Sequence, residues 1–247
     1  MRHPRLSWQT LLMITLLLLS ALFYLGHYLL FRDPHHIFIF LVGDIAFVPI
    51  EVLLVTLIIH RVLNEREKKT LMEKLNMLIG AFFSEVGYEL IKVFSKFDMD
   101  CDRIREEVQD ESFNKKEYLQ LKNRLRAYDC QIDIRGEGFV ELRDLLREKR
   151  TFLLRMLENP NLFEHDTFTD LLWAVFHLTE ELIYRKDLRR LTDVDSKHIS
   201  ADIKRAYELI IFEWLDYMRH LKENYPYMFS LAVRINPFKP DASAEIL

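Results

Sequence analysis

Two long apolar runs lie end to end near the N-terminus, and they constrain this chain more than any other feature. The first, Leu11 to Phe31, reads LLMITLLLLSALFYLGHYLLF, close to the roughly 20 apolar residues that cross a bilayer core. Trp8 stands at one end and Tyr24 and Tyr28 toward the other, where amphipathic rings favour the membrane–water interface. A cleaved signal peptide is the rival reading, because Met1 to Arg5 is basic. The run is long for that role and no small-x-small cleavage pattern follows it, so a retained helix is expected.

After Arg32-Asp33-Pro34-His35-His36, read as a short turn, a second run extends from Ile37 to Ile59. It contains Asp44, Glu51 and Pro49, which raises the question of insertion. Seventeen of its residues are Ile, Leu, Val or Phe, each worth roughly −0.3 to −0.6 kcal/mol at a membrane centre. A central acid costs about 2.5 to 3.5 kcal/mol, so the apolar sum matches or exceeds two such penalties. The sequence therefore predicts a transmembrane hairpin, with spans at about 9–31 and 37–59.

Basic residues set the expected orientation. Arg2 and Arg5 precede the first span, and Arg61, Arg66, Lys68 and Lys69 follow the second, against Arg32 alone in the turn. The positive-inside rule then places both termini in the cytoplasm, and the short turn leaves no room for an external ligand-binding domain.

Asp44 and Glu51 are seven residues apart, which puts them on one helix face, about one third and two thirds of the way across. Pro49 falls between them and removes one backbone hydrogen bond. Intramembrane acids are functional candidates by default. One reading is a proton- or cation-responsive face. The other is a pair of protonated acids that hydrogen-bond between helices and hold an assembly together.

The average composition, 50% hydrophobic and 29% charged, conceals two regimes. Residues 1–60 hold three basic and three acidic side chains, so the net charge of −4 belongs to the remainder. That remainder is long enough for a core of its own. It lacks the basic excess of a nucleic-acid footprint, and no nucleic-acid partner is expected. Cys101 and Cys130 are read as ordinary thiols, since a cytoplasmic location disfavours a disulfide and two thiols make no zinc site.

Past Ile59 the helical pattern continues without proline. A charged stalk over Arg61 to Thr70 leads into apolar residues at Leu71, Leu75, Leu78, Phe82, Val86, Leu90, Val93 and Phe97, spaced by threes and fours. Packing of this stripe within a domain is expected in preference to a parallel coiled coil, because the seam is short and widens into aromatics. Further helices are read at Cys101 to Glu111, Asn114 to Tyr128, Phe139 to Glu158, Asp166 to Arg185 and Ile199 to Asn224. A short last helix is read at Tyr227 to Ile235. A polar break contains Gly136 and Gly138, and Thr192 to Ser196 reads as a turn. The predicted layout is all-α: hairpin 1–60, stalk 61–97 and a helical cytoplasmic domain 98–247.

Motifs for chemistry are sparse. Asp98-Met99-Asp100-Cys101-Asp102 opens like a calcium loop, but Arg103 and Gln109 occupy the positions where glycine and glutamate are required. His177 with Glu180 and Glu181, Glu85 with Glu89, and Glu213 with His220 are candidate ligands of a di-metal carboxylate bundle. That fold needs Glu-x-x-His pairs, and the sequence has none. Phosphate-binding glycine loops, Gly-x-Ser-x-Gly and His-Glu-x-x-His are also missing. No catalytic residue, metal or cofactor is therefore assigned. The segments NLFEHDTFTDLLWAVFHLTEEL and ENYPYMFSLAVRINPF are unusually aromatic; Trp173, Phe176, Tyr225, Tyr227 and Phe229 are candidates for a partner surface, with core packing as the alternative.

The runs GDIAFVPIEVLLVTLIIHR, LNMLIGAFFSEVG, ENPNLFEHDTFTDLLWAVFHLTEEL and YPYMFSLAVRINPF resemble a group of uncharacterised prokaryotic membrane proteins across nearly the whole chain. The resemblance implies a bacterial or archaeal cytoplasmic membrane and the same hairpin-plus-domain layout, with no activity or site residue to carry over. The leading functional expectation is a membrane-anchored, non-enzymatic scaffold or signalling protein that self-associates and meets a protein partner. The alternatives are a small oligomeric ion or proton channel using Asp44 and Glu51, and a metal-dependent enzyme in the helical domain.

Overall fold

The computed structural model describes residues 8–108, 115–126, 128–134, 138–188 and 190–245, and it is all-α. The chain divides into two compact units, 1–68 and 69–247. Arg2, Arg5, Asn114, Gly136 and residues 109–111 of the expected helices lie outside the described residues.

The first unit consists of α1 (Trp8–Phe31) and the beginning of α2 (Pro34–Phe82). The connection is tighter than the sequence implied. Pro34 opens α2 at a first-turn position, where its missing N–H costs nothing. Asp33 Oδ1 accepts from the backbone N–H groups of His35 (3.0 Å) and His36 (3.3 Å), so the helix begins three residues before Ile37. Arg32, at φ 51°, closes α1 by donating its N–H to the Tyr28 carbonyl (2.8 Å). Every residue of α1 is uncovered to some degree.

The second unit has a single core. The end of α2 passes into a π-helical turn (Phe83–Gly87) and then α3 (Tyr88–Ser95), followed by α4 (Cys101–Val108), α5 (Lys115–Arg126) and α6 (Gly138–Leu157). A 3-10 turn (Pro160–Glu164) leads to α7 (Asp166–Tyr184), α8 (Asp193–Asn224) and α9 (Pro226–Arg234). Of the stripe read from Leu71 to Phe97, Leu75, Phe82, Val86, Leu90, Val93 and Phe97 are buried inside this domain, while Leu71 and Leu78 are half-buried. α7 is the central helix, lying against α6 and α8, while α8 also meets α5 and α9. Phe168, Leu171, Leu172, Val175, Leu178 and Leu182 are buried at helical spacing along α7. Burial of each such side chain stabilises the fold by about 1.5 to 3 kcal/mol.

Other boundaries also differ from the sequence reading. Thr192 to Ser196 is not a turn: Thr192 caps α8, its Oγ1 accepting from Asp195 N–H (3.2 Å) and donating to Asp195 Oδ2 (2.9 Å). α8 therefore starts six residues before Ile199. Gly138 is the first residue of α6 rather than part of the break. Among the described residues no strand forms, and Asp98 and Ile132 make one isolated antiparallel bridge.

The π-turn places Phe82 and Phe83 side by side in the core. Phe82 meets Phe168 edge-on at 5.5 Å between centroids, and Phe83 stacks on Tyr217 at 5.1 Å. Gly87 is fitted to this arrangement, because a Cβ there would come within 2.5 Å of the Phe83 ring. Gly87→Ala should therefore destabilise the domain by about 1 to 3 kcal/mol through overpacking. The thermal midpoint of the detergent-solubilised full chain reads this directly; an unchanged midpoint would show that the aromatic pair shifts freely.

Glu213 is buried at 2% exposure. Thr167 Oγ1 donates to its Oε1, and Oε2 has no partner among the described residues. Burial raises its pKa above the ordinary carboxyl range, with the Thr167 hydrogen bond and His165 opposing. The folded chain then holds this proton to higher pH than the unfolded chain. Stability from this group is full below the unfolded pKa and falls as pH rises through the folded one. Glu213→Gln, which keeps the shape and removes the charge, should raise the thermal midpoint at about pH 8 and leave it unchanged near pH 4. Equal shifts at both pH values would contradict this.

Candidate functional site

Asp44 and Glu51 are exposed on α2, and neither forms a hydrogen bond or ion pair among the described residues. Pro49 lies between them inside the continuous helix. Asp44 lines a groove of about 650 Å³ between α1 and α2, together with Ser20, Tyr24 and His27, among apolar neighbours including Phe23 and Phe40. The His27 ring stacks parallel to His36 at 6.3 Å, and its Nδ1 is without a hydrogen-bond partner among the described residues.

The aromatic candidates fall into two groups. On α7, Trp173 is exposed and packs edge-on against half-buried Phe176, whose ring lies under the Arg150 guanidinium at 5.9 Å. At the α8–α9 junction, Tyr225 and Tyr227 are exposed and in edge contact, while Phe229 is half-buried beneath Lys222. No ring contact joins the groups among the described residues. Tyr225 belongs to a groove of about 580 Å³ walled by Met77, Tyr88, Tyr217, His220 and Met228. Other aromatic residues of the second unit, such as Phe168, Trp214 and Phe238, are core.

A third cluster joins residues that are distant in sequence. α7 and α8 are consecutive helices joined by residues 185–192, and each presents a pair at i, i+4 spacing: His177 with Glu181, and His198 with Asp202. The Asp202 side chain is 4% exposed, and its Oδ2 lies 3.4 Å from His177 Nε2 and 3.3 Å from His198 Nε2. That oxygen makes no hydrogen bond among the described residues. Its companion Oδ1 pairs with Arg205 at 3.4 Å. Glu181 stands 3.7 Å from His198 Nε2 and 4.0 Å from His177 Nε2. Its carboxylate bonds Arg185, which holds its pKa below the usual range; the neighbouring histidines act in the same direction. Two ring nitrogens and a buried carboxylate oxygen, all within 4.8 Å of one another, form a donor set able to take a metal ion.

The metal ligands weighed from sequence are only partly brought together. His177 and Glu181 share the cluster, whereas Glu180 bonds Arg150 (2.7 Å). His220 stays local, 3.2 Å from Asn224 and against the Tyr225 ring, and Glu213 is the buried core acid. Sequence reasoning missed His198 and Asp202. A search for glutamate three residues before histidine overlooks a histidine four residues before a carboxylate, repeated on successive helices.

The two thiols are buried. Burial, then the Glu208 charge, pushes the Cys130 thiol up to about 12, and burial also raises that of Cys101. Neither has the lowered pKa of a nucleophilic cysteine. Asp98 is buried too, accepting from the Tyr128 hydroxyl at 2.8 Å. It closes the loop before α4 instead of offering a calcium ligand.

Residues 3–63 match the family described as "MJ1433, N-terminal helical domain", and residues 71–234 match "Uncharacterized protein MJ1433, C-terminal helical domain". The gap between these matches contains the break between the two compact units. A protein of Methanocaldococcus jannaschii, "Uncharacterized protein MJ1433", is 47% identical over 231 residues, covering 94% of this chain and 93% of the relative. No solved structure matches the chain. With both family domains present in order and nearly the whole relative covered, the chain belongs to the MJ1433 family of all-helical proteins.

Proposed function

We propose that this chain is a membrane-anchored scaffold or signalling protein that self-associates through its N-terminal hairpin and carries its helical domain on the cytoplasmic side. The carrying observation is that Asp44 and Glu51 are exposed without a partner among the described residues, on a helix otherwise suited to lipid. A carboxyl facing hydrocarbon costs about 2.5 to 3.5 kcal/mol. A second copy of the same helix relieves that cost by hydrogen bonding between Asp44 and Glu51 side chains. Both helices are long and apolar enough to span a membrane. The basic residues Arg61, Arg66, Lys68 and Lys69 past the second span favour a cytoplasmic domain in a prokaryotic inner membrane. Exposed Trp173 and Tyr227 support a docking role toward a protein partner.

Each interhelical hydrogen bond is worth about 0.6 to 2 kcal/mol in a membrane, a roughly three- to thirtyfold effect on association. Asp44→Leu with Glu51→Leu should therefore shift the detergent-solubilised chain from an oligomer toward the monomer mass by light scattering. A monomeric unaltered chain, or an oligomer indifferent to both substitutions, would contradict self-association through this face.

The groove shared by Asp44, His27, Ser20 and Tyr24 favours a second reading, an oligomeric proton or cation channel. Reconstituted liposomes should then show a flux that Asp44→Asn abolishes. No flux under any imposed proton, sodium or potassium gradient would dispose of this reading.

A further inference from the structure

We propose that His177, His198 and Asp202 form a binding site for a divalent first-row transition metal of the zinc type, with Glu181 as the fourth ligand. The geometry fits that chemistry. For tetrahedral coordination at zinc–ligand distances of about 2.0 to 2.1 Å, neighbouring donor atoms lie about 3.3 to 3.4 Å apart. The separations of Asp202 Oδ2 from the two imidazole nitrogens are 3.3 and 3.4 Å. An ordinary hydrogen bond would be shorter, and Oδ2 makes none among the described residues although its side chain is only 4% exposed. A buried carboxylate oxygen at ion-pair distance from two imidazoles, with a hydrogen bond to neither, has the placement of a ligand.

The surroundings support the same role. Arg205 Nη1 stands 3.4 Å from the other Asp202 oxygen, the place an outer partner of a metal ligand takes. Both histidines are about half exposed, which leaves an entry path for the ion and freedom for the rings to close on it. Glu181 stands 3.7 Å from His198 Nε2, and binding the ion requires it to exchange part of its Arg185 contact for the metal. Two imidazoles select zinc, nickel, copper or cobalt over magnesium and calcium, which prefer all-oxygen shells. Two neutral imidazoles and two carboxylates also balance the charge of a dication.

Purified full-length chain in detergent, stripped with chelator, should take up one Zn2+ per chain in a calorimetric titration and show no uptake of Mg2+. Co2+ added in place of Zn2+ should give the intense visible absorption of a tetrahedral site. His177→Gln with His198→Gln should weaken Zn2+ binding by about a hundredfold or more, with the metal-free variant keeping the helical circular dichroism of the unaltered chain. Asp202→Asn should weaken it similarly. Absence of saturable Zn2+ uptake by the unaltered chain overturns the proposal without any variant. Undiminished affinity in the double histidine variant, or equal uptake of Mg2+, also overturns it.

Discussion

Apolar surface without a protein partner has to be covered by something else, and in α1 and the first half of α2 such surface runs the length of both helices. Water is a poor solvent for it, whereas a bilayer is the natural one, because helices satisfy their own backbone hydrogen bonds. Lipid around these helices would turn Asp44 and Glu51 from ordinary exposed acids into groups that need a partner. The proposed self-association and the alternative of ion handling are two answers to that single requirement.

The second unit obeys the opposite rule, with its apolar side chains gathered around α7. Packing of α7 against both α6 and α8 fixes the register of these helices. This register brings His177 on α7 toward His198 and Asp202 on α8. The site therefore rests on helix packing and not on a loop, so its geometry is held by the core beneath it. Thr179 and Leu178, next to His177, are fully buried, as are Ile199 and Ile203, next to His198 and Asp202.

Much of this fold was legible because its strongest signals are periodic. Most of the apolar stripe from Leu71 to Phe97 is buried, with Leu71 and Leu78 half-covered, and on α7 the aliphatic residues join Phe168 in the core while Trp173 stays exposed. Boundaries were less legible where polar residues cap helices: Asp33 and Thr192 look like turn formers in isolation, yet each starts a helix by accepting backbone N–H groups. The π-turn at Phe83 had no signature in the sequence. It shows only in the burial of two adjacent phenylalanines that a regular helix spreads about 100° apart. The candidate metal site was half visible. The sequence shows His177 one turn from Glu180 and Glu181 without assigning a metal, and only the pairing of α7 with α8 reveals that His198 and Asp202 join His177 and Glu181.

The most direct test of membrane anchoring is flotation of carbonate-washed membranes from cells expressing the full chain. If the hairpin crosses the bilayer, the protein floats with the lipid after the alkaline wash. Recovery of the folded chain in the wash supernatant would show that these two helices are covered by protein rather than lipid, and the anchored account would fail.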